Sequence, residues 1–167
     1  MPATYEPIST QTLSTGSTSI SFNSIASTYT DLVLICSVFG TANYSGFIRF
    51  NSDTGSNYST TLLQGNGSTA TSSRASSQSS ITILSKNIGF DTSYLTTGIV
   101  NIQNYANTSS YKTVLSRTNV VRASVGEAAA YAGTWRSTAA ITSLTIISDG
   151  GTYAAGSVFT LYGIKAA

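Results

Sequence analysis

The sequence predicts an all-β protein, an antiparallel β-sandwich of jelly-roll type with about 8–11 strands. Three observations carry that expectation. Val, Ile, Leu, Phe and Tyr recur in short runs with a period of two, which turns alternate side chains to opposite faces of a strand. Clusters of Gly, Asn, Asp and Ser, the residues that build turns, bound these runs. Ten Tyr, six Phe and abundant Thr suit pleated, half-buried surfaces better than helices.

Taken in order, residues 4–13 read as a strand within an extended N-terminal arm, 1–13, able to pair with a neighbour. Strands follow at 18–23 and 31–40. In "DLVLICSVF" both alternating sets, Leu32/Leu34/Cys36/Val38 and Val33/Ile35/Phe39, are apolar, so this strand should be covered on both faces. Strands 46–51 and 57–64 flank "FIRFNSDTGSNYS", residues 47–59, which admits three readings: a calcium loop, a sugar-facing loop or a turn. A calcium loop wants several carboxylates closing on a bidentate Glu, and Asp53 alone cannot offset dehydration of a divalent ion. The turn is favoured, with Gly55 supplying a positive φ and Asn51 and Asp53 closing it.

The Ser-rich stretch 65–80 reads as a flexible loop within one domain that spans residues 1–167. Further strands fall at 79–85, 97–105, 111–118, 127–136, 141–148 and 157–164. Over 125–133, "VGEAAAYAG" carries good helix formers, but the glycines at both ends leave a helix too short, and the strand reading is preferred. In "TSLTIIS", Leu144 and Ile146 face one way and Ser143 and Thr145 the other, a strand with one wet face.

Charged residues make up only 8% of the chain, where about 25% is usual. Ser and Thr, about a third of all residues, take their place. The eight basic side chains are scattered, with no run that tracks a phosphate backbone, so no nucleic-acid partner is expected. No apolar stretch approaches 18 residues, so no membrane-spanning helix is expected, and the N-terminus lacks the basic start and apolar core of a signal peptide. Cys36 is the only cysteine and reads as a small core residue. With three lysines and two prolines, both near the N-terminus, the sheet edges are poorly guarded, and an oligomer or a partner should cover them.

The chain has no histidine, which removes Ser-His-Asp and Cys-His nucleophilic sites and the commonest general base. Six carboxylates remain: Glu6, Asp31, Asp53, Asp91, Glu127 and Asp149. Four of the aspartates stand in turn or strand-start contexts where Asp bonds nearby backbone, so no enzyme activity, metal or cofactor is expected. For glycan or partner contacts the candidates are Tyr44, Tyr58 and Trp135, although aromatic residues on strands are more often core. Four N-x-S/T triplets, at Asn43, Asn57, Asn66 and Asn107, are expected by chance in so Ser/Thr-rich a chain.

The phrases "MPATYEPIST", "STYTDLVLI", "IRFNSDTGSNYS", "KTVLSR", "TWRSTAAITSLTI" and "FTLYGIKAA" resemble a group of small β-rich virion structural proteins of tailed bacteriophages, notably cyanophages and other aquatic phages. The resemblance spans nearly the full chain and brings no catalytic residues with it. It implies a place on a virion; the short domain, with no coiled-coil or shaft sequence, is then expected to be a non-enzymatic capsid decoration (cement) protein, a homotrimer bound to the major capsid protein over capsomer junctions. The alternative is a tail-fibre or baseplate-associated domain that recognises host surface glycan.

Overall fold

A computed structural model describes residues 4–41, 44–84, 93–121 and 126–165. Among the described residues there is no helix. Twelve antiparallel strands follow one another: β1 (Tyr5–Thr12), β2 (Ser19–Phe22), β3 (Asp31–Val38), β4 (Gly46–Phe50), β5 (Tyr58–Gly65), β6 (Ala70–Gln78), β7 (Ile81–Leu84), β8 (Thr96–Gln103), β9 (Lys112–Val121), β10 (Gly126–Trp135), β11 (Leu144–Ser148) and β12 (Val158–Ile164). They form an eight-stranded sheet in the order β1-β12-β3-β8-β9-β10-β5-β6 and a four-stranded sheet in the order β2-β11-β4-β7. Eight of these strands pair in a nested way: β1 with β12, β2 with β11, β3 with β8 and β4 with β7. The hairpins β5–β6 and β9–β10 both join the larger sheet and extend it on the far side of β8.

The period-two pattern explains why the two sheets form a sandwich. Leu32, Leu34, Cys36 and Val38 of β3 are fully buried and share one core with Ile48 and Phe50 of β4, Leu144 and Ile146 of β11, and Phe159 and Leu161 of β12. Each such aliphatic or aromatic side chain contributes about 1.5–3 kcal/mol on burial. The four-stranded sheet is narrower than its partner, and β7 at its edge packs across β8, β9, β10 and β5. At the tightest crossing Gly133 of β10 lies under Ile81 of β7, where no Cβ would fit. A smaller cluster of Val120, Ala129 and Tyr131 carries the core outward beneath Leu62 and Tyr94. Beyond it, every residue of β6 is exposed.

Three expectations change. Residues 65–80 are mostly a strand, β6, which pairs with β5 from Gly65↔Ala70 to Tyr58↔Gln78. Its turn is built by Asn66, whose Oδ1 accepts from the backbone N–H of Ser68 (3.1 Å) and Thr69 (2.8 Å), with Gly67 at a φ of 85°. A strand wet on both faces needs no apolar alternation, which is why its composition reads as a loop. The N-terminal arm is β1, the edge strand beside β12, with a register shift between Pro7 and Ser9. The outer face of "DLVLICSVF" is only partly covered, since Val33 is buried but Ile35 is exposed. The strand reading of 127–136 holds as β10, and β9 runs on to Val121, three residues past the expected end.

Candidate docking surface

Asn51, Asp53 and Asn57 of the 47–59 stretch are spent on the fold. Asp53 Oδ1 accepts from Gly55 N–H at 2.8 Å, and its Oδ2 accepts from Asn57 Nδ2 at 2.9 Å and Trp135 Nε1 at 2.7 Å. The hydrogen bonds from Trp135 and Asn57 hold its carboxyl below the ordinary value. Asn51 Oδ1 accepts from the backbone N–H of Thr142 (2.9 Å) and Ser143 (3.1 Å), and its Nδ2 donates to Ala140 O at 2.7 Å. The stretch is therefore a turn, bonded to the loop before β11. Its left-handed residues are Asn51 (φ 49°) and Ser52 (φ 56°), not Gly55. Asn and Ser tolerate that conformation because a short polar side chain bonds locally.

The three aromatic candidates do not converge on a binding face. Tyr58 and Trp135 are 0% and 2% exposed and stack on each other, ring centroids 6.2 Å apart, inside the core. Burial pushes the Tyr58 hydroxyl up to about 12. That hydroxyl donates to Asp53 O at 3.1 Å and accepts from Phe50 N–H at 3.2 Å. Tyr44 is half-buried, its ring lying on Gly150 and Gly151 so closely that neither position has room for a Cβ. Two aromatic rings whose faces are covered by each other and by Phe50 offer a ligand nothing to stack on.

The other described carboxylates also have structural partners. Asp31 Oδ1 accepts from Asn104 N–H at 2.6 Å, Asp149 Oδ1 from Ser45 N–H at 2.9 Å, and Glu6 pairs with Lys165 at 2.8 Å. Glu127 is likewise partnered. Asp91, Lys86, Arg122 and Asn43 lie outside the described residues. Asn57, Asn66 and Asn107 each bond within a turn, Asn107 Oδ1 accepting from the N–H of Ser109 and Ser110 at 2.8 Å.

What the structure does present is the outer face of the eight-stranded sheet. Registers place Ile35, Ile99, Arg117, Ala130, Leu63 and Ser72 in one continuous row across β3, β8, β9, β10, β5 and β6. The next row is Val33, Asn101, Leu115, Ala132, Thr61 and Arg74. Flat, five strand spacings would hold β3 and β6 about 24 Å apart. Yet Ile35 and Ser72 line a single cavity of about 1000 Å³, so the sheet curls and this face is concave. A second cavity of about 670 Å³ shares Leu63, Arg117 and Ala130 with it and reaches Tyr5 and Ile164 at the other edge.

This trough is apolar where a solvent-facing sheet is usually polar. Leu63 is 60% exposed, Leu115 48%, Ile35 37% and Ile99 36%. Its floor along β10 is Ala128, Ala130 and Ala132, side chains too short to close it. Of the described basic groups, Arg49 donates to Ser79 O at 3.1 Å and Arg136 to Ser56 O at 2.6 Å. Lys112 is buried, donating to the carbonyls of Ser110 (2.8 Å) and Thr138 (3.2 Å), and burial lowers its pKa. Arg117 and Arg74 remain. Both stand on the concave face, and neither has a carboxylate within ion-pair distance among the described residues. Sequence reasoning missed this surface, although the signal was present: Leu63 and Leu115 fall on the parity opposite to the core. Comparison with protein-family models, with curated proteins and with solved structures gives no match to this chain, so the reading of the surface rests on its own geometry.

Proposed function

We propose that this protein is a non-enzymatic structural subunit of a bacteriophage virion, a capsid decoration (cement) protein that binds the major capsid protein over capsomer junctions. The observation that carries this reading is the concave apolar face with four exposed aliphatic side chains, a surface built to dock. Three further observations support it. The sequence phrases resemble virion proteins of tailed phages. The nested pairing of β1–β12, β2–β11, β3–β8 and β4–β7 supports a jelly-roll reading of the sandwich, a fold common in viral capsid domains. Asp31, Asp53, Asp149 and Glu6 are engaged in turns, strand ends and an ion pair of the fold.

A homotrimer fits the exposed edge. Arg74 is the central residue of β6, so two-fold antiparallel pairing of β6 with itself would set like charges opposite one another. A three-fold arrangement keeps these arginines on separate contacts. The amides Asn101, Gln103 and Asn119 on the concave face favour a second reading, a tail-fibre or baseplate-associated glycan-binding domain. Quantitative peptide mass spectrometry of purified virions separates the two. A copy number within a few-fold of the major capsid protein is expected for a decoration protein, a far lower one transfers the chain to the tail, and its absence overturns the virion reading.

A further inference from the structure

We infer that the concave face of the eight-stranded sheet is a seat for an amphipathic α-helix of a partner protein, with aliphatic residues on its buried face and a carboxylate set against Arg117. The inference rests on the docking reading above and names the partner's chemistry. The space comes first. The cavity of about 1000 Å³ has the capacity of two to three turns of a helix about 10 Å across. Ala130 and its neighbours keep the floor low, while Ile35, Ile99, Leu63 and Leu115 supply apolar walls.

The chemistry of the trough then separates a helix from its rivals. An extended peptide laid on the floor would find the sheet's backbone donors and acceptors already spent on the ladders, and would leave its own unpaired beside aliphatic side chains. A helix satisfies its backbone internally and needs only an apolar stripe. A sugar chain prefers aromatic platforms, and the tyrosines of this face, Tyr5 and Tyr162, sit at its β1–β12 edge, packed edge-to-face on each other and outside the aliphatic rows between β3 and β6. A second copy of this chain brings no helix among its described residues, and two concave faces do not mate. Arg117 lies in the middle of the aliphatic row and is shared by both cavities, so a partner that covers it must bring a negative charge.

The test is a methyl NMR titration of the full chain with a helical peptide of about 18 residues. The peptide carries Leu at helical spacing and Glu beside that stripe. Saturable shifts of the Ile35, Ile99, Leu63 and Leu115 methyls are expected, at least tenfold weaker with a proline placed in the peptide's centre. Arg117→Glu, an exposed position, should weaken the Glu peptide about tenfold, and the same peptide with Lys for Glu should recover the loss. Ala130→Trp fills the floor and should abolish binding while leaving the thermal melt unchanged. The inference is overturned if the helical peptide leaves these methyls unmoved or the proline control binds as well. It also fails if an acidic oligosaccharide, or higher concentrations of the protein alone, produce the shifts instead. A failed titration with the chain still abundant in virions removes the helix and keeps the particle reading; an intact titration with the chain absent from virions does the reverse.

Discussion

Asp53 and Trp135 meet at 2.7 Å, the carboxylate on the turn after β4 accepting the indole N–H at the end of β10. That bond joins the turn of one sheet to a strand of the other and fixes the ring that stacks on Tyr58. Asp53 is held below its ordinary pKa of 3.8 first by this bond and then by the one from Asn57. Because its folded pKa is depressed, its contribution is present above 3.8 and is lost as pH falls below that value. Asp53→Asn should cost about 1–3 kcal/mol at neutral pH through the mismatched donors. Thermal melts at neutral and acid pH should show a smaller acid loss in the variant than in the parent. An equal loss in both would move the acid sensitivity elsewhere.

Gly133 and Gly163 are both contact glycines. A Cβ at Gly133 would fall onto Ile81, and one at Gly163 onto the ring of Tyr29. Neither has a left-handed backbone, so the cost of alanine is steric alone. Gly133→Ala should destabilise by about 1–3 kcal/mol because the gap between sheets must open. Gly126→Ala, with open space around it, is the control expected to leave the denaturant midpoint unchanged.

Three buried tyrosines predict how the fold yields to alkali. Burial raises the hydroxyls of Tyr58, to about 12, and of Tyr105 and Tyr153. Their protonated forms are favoured in the folded state, so stability is full below 10.0 and falls as pH rises from there toward the folded values. Ultraviolet titration of tyrosinate should show a late phase that coincides with loss of β-sheet circular dichroism. Tyr58→Phe should raise alkaline resistance relative to the parent while costing about 1 kcal/mol at neutral pH for its lost hydrogen bonds.

Cys36 provides a probe of the core. It is fully buried on the inner face of β3, and burial pushes its thiol up to about 12. A thiol reagent should react only at the rate of unfolding, and in denaturant the full stoichiometry should appear at once. Fast labelling of the native protein would contradict the burial of β3.

Most of the framework was legible because the core strands alternate. Leu144 and Ile146 turn inward on β11 with Thr145 between them on the other face, the pattern of a solvent-backed strand. Strand β5 was legible, but its partner β6 was not, since Ser and Thr on a strand exposed on both faces carry no alternation. The burial of Tyr58 and Trp135 was illegible for another reason. Residue type alone does not tell which parity faces inward, and Tyr58 and Trp135 pair directly across β5 and β10 on the inner face. Curling of the sheet, which makes the trough, depends on eight strands acting together and has no local signature.

The nested pairing also sets an order of events at birth. β12 lies between β1 and β3, so two of the earliest strands wait for the last one before the sheet between them exists. A ribosome emitting this domain would expose Leu32, Leu34 and Val38 until Val158–Ile164 has cleared the exit tunnel. Sheet closure is then rate-limited by distant pairing, in the slow regime of all-β topologies. Synthesis interrupted before Val158 would release an aggregating fragment, whereas loss of the outlying β6 would spare the nested eight.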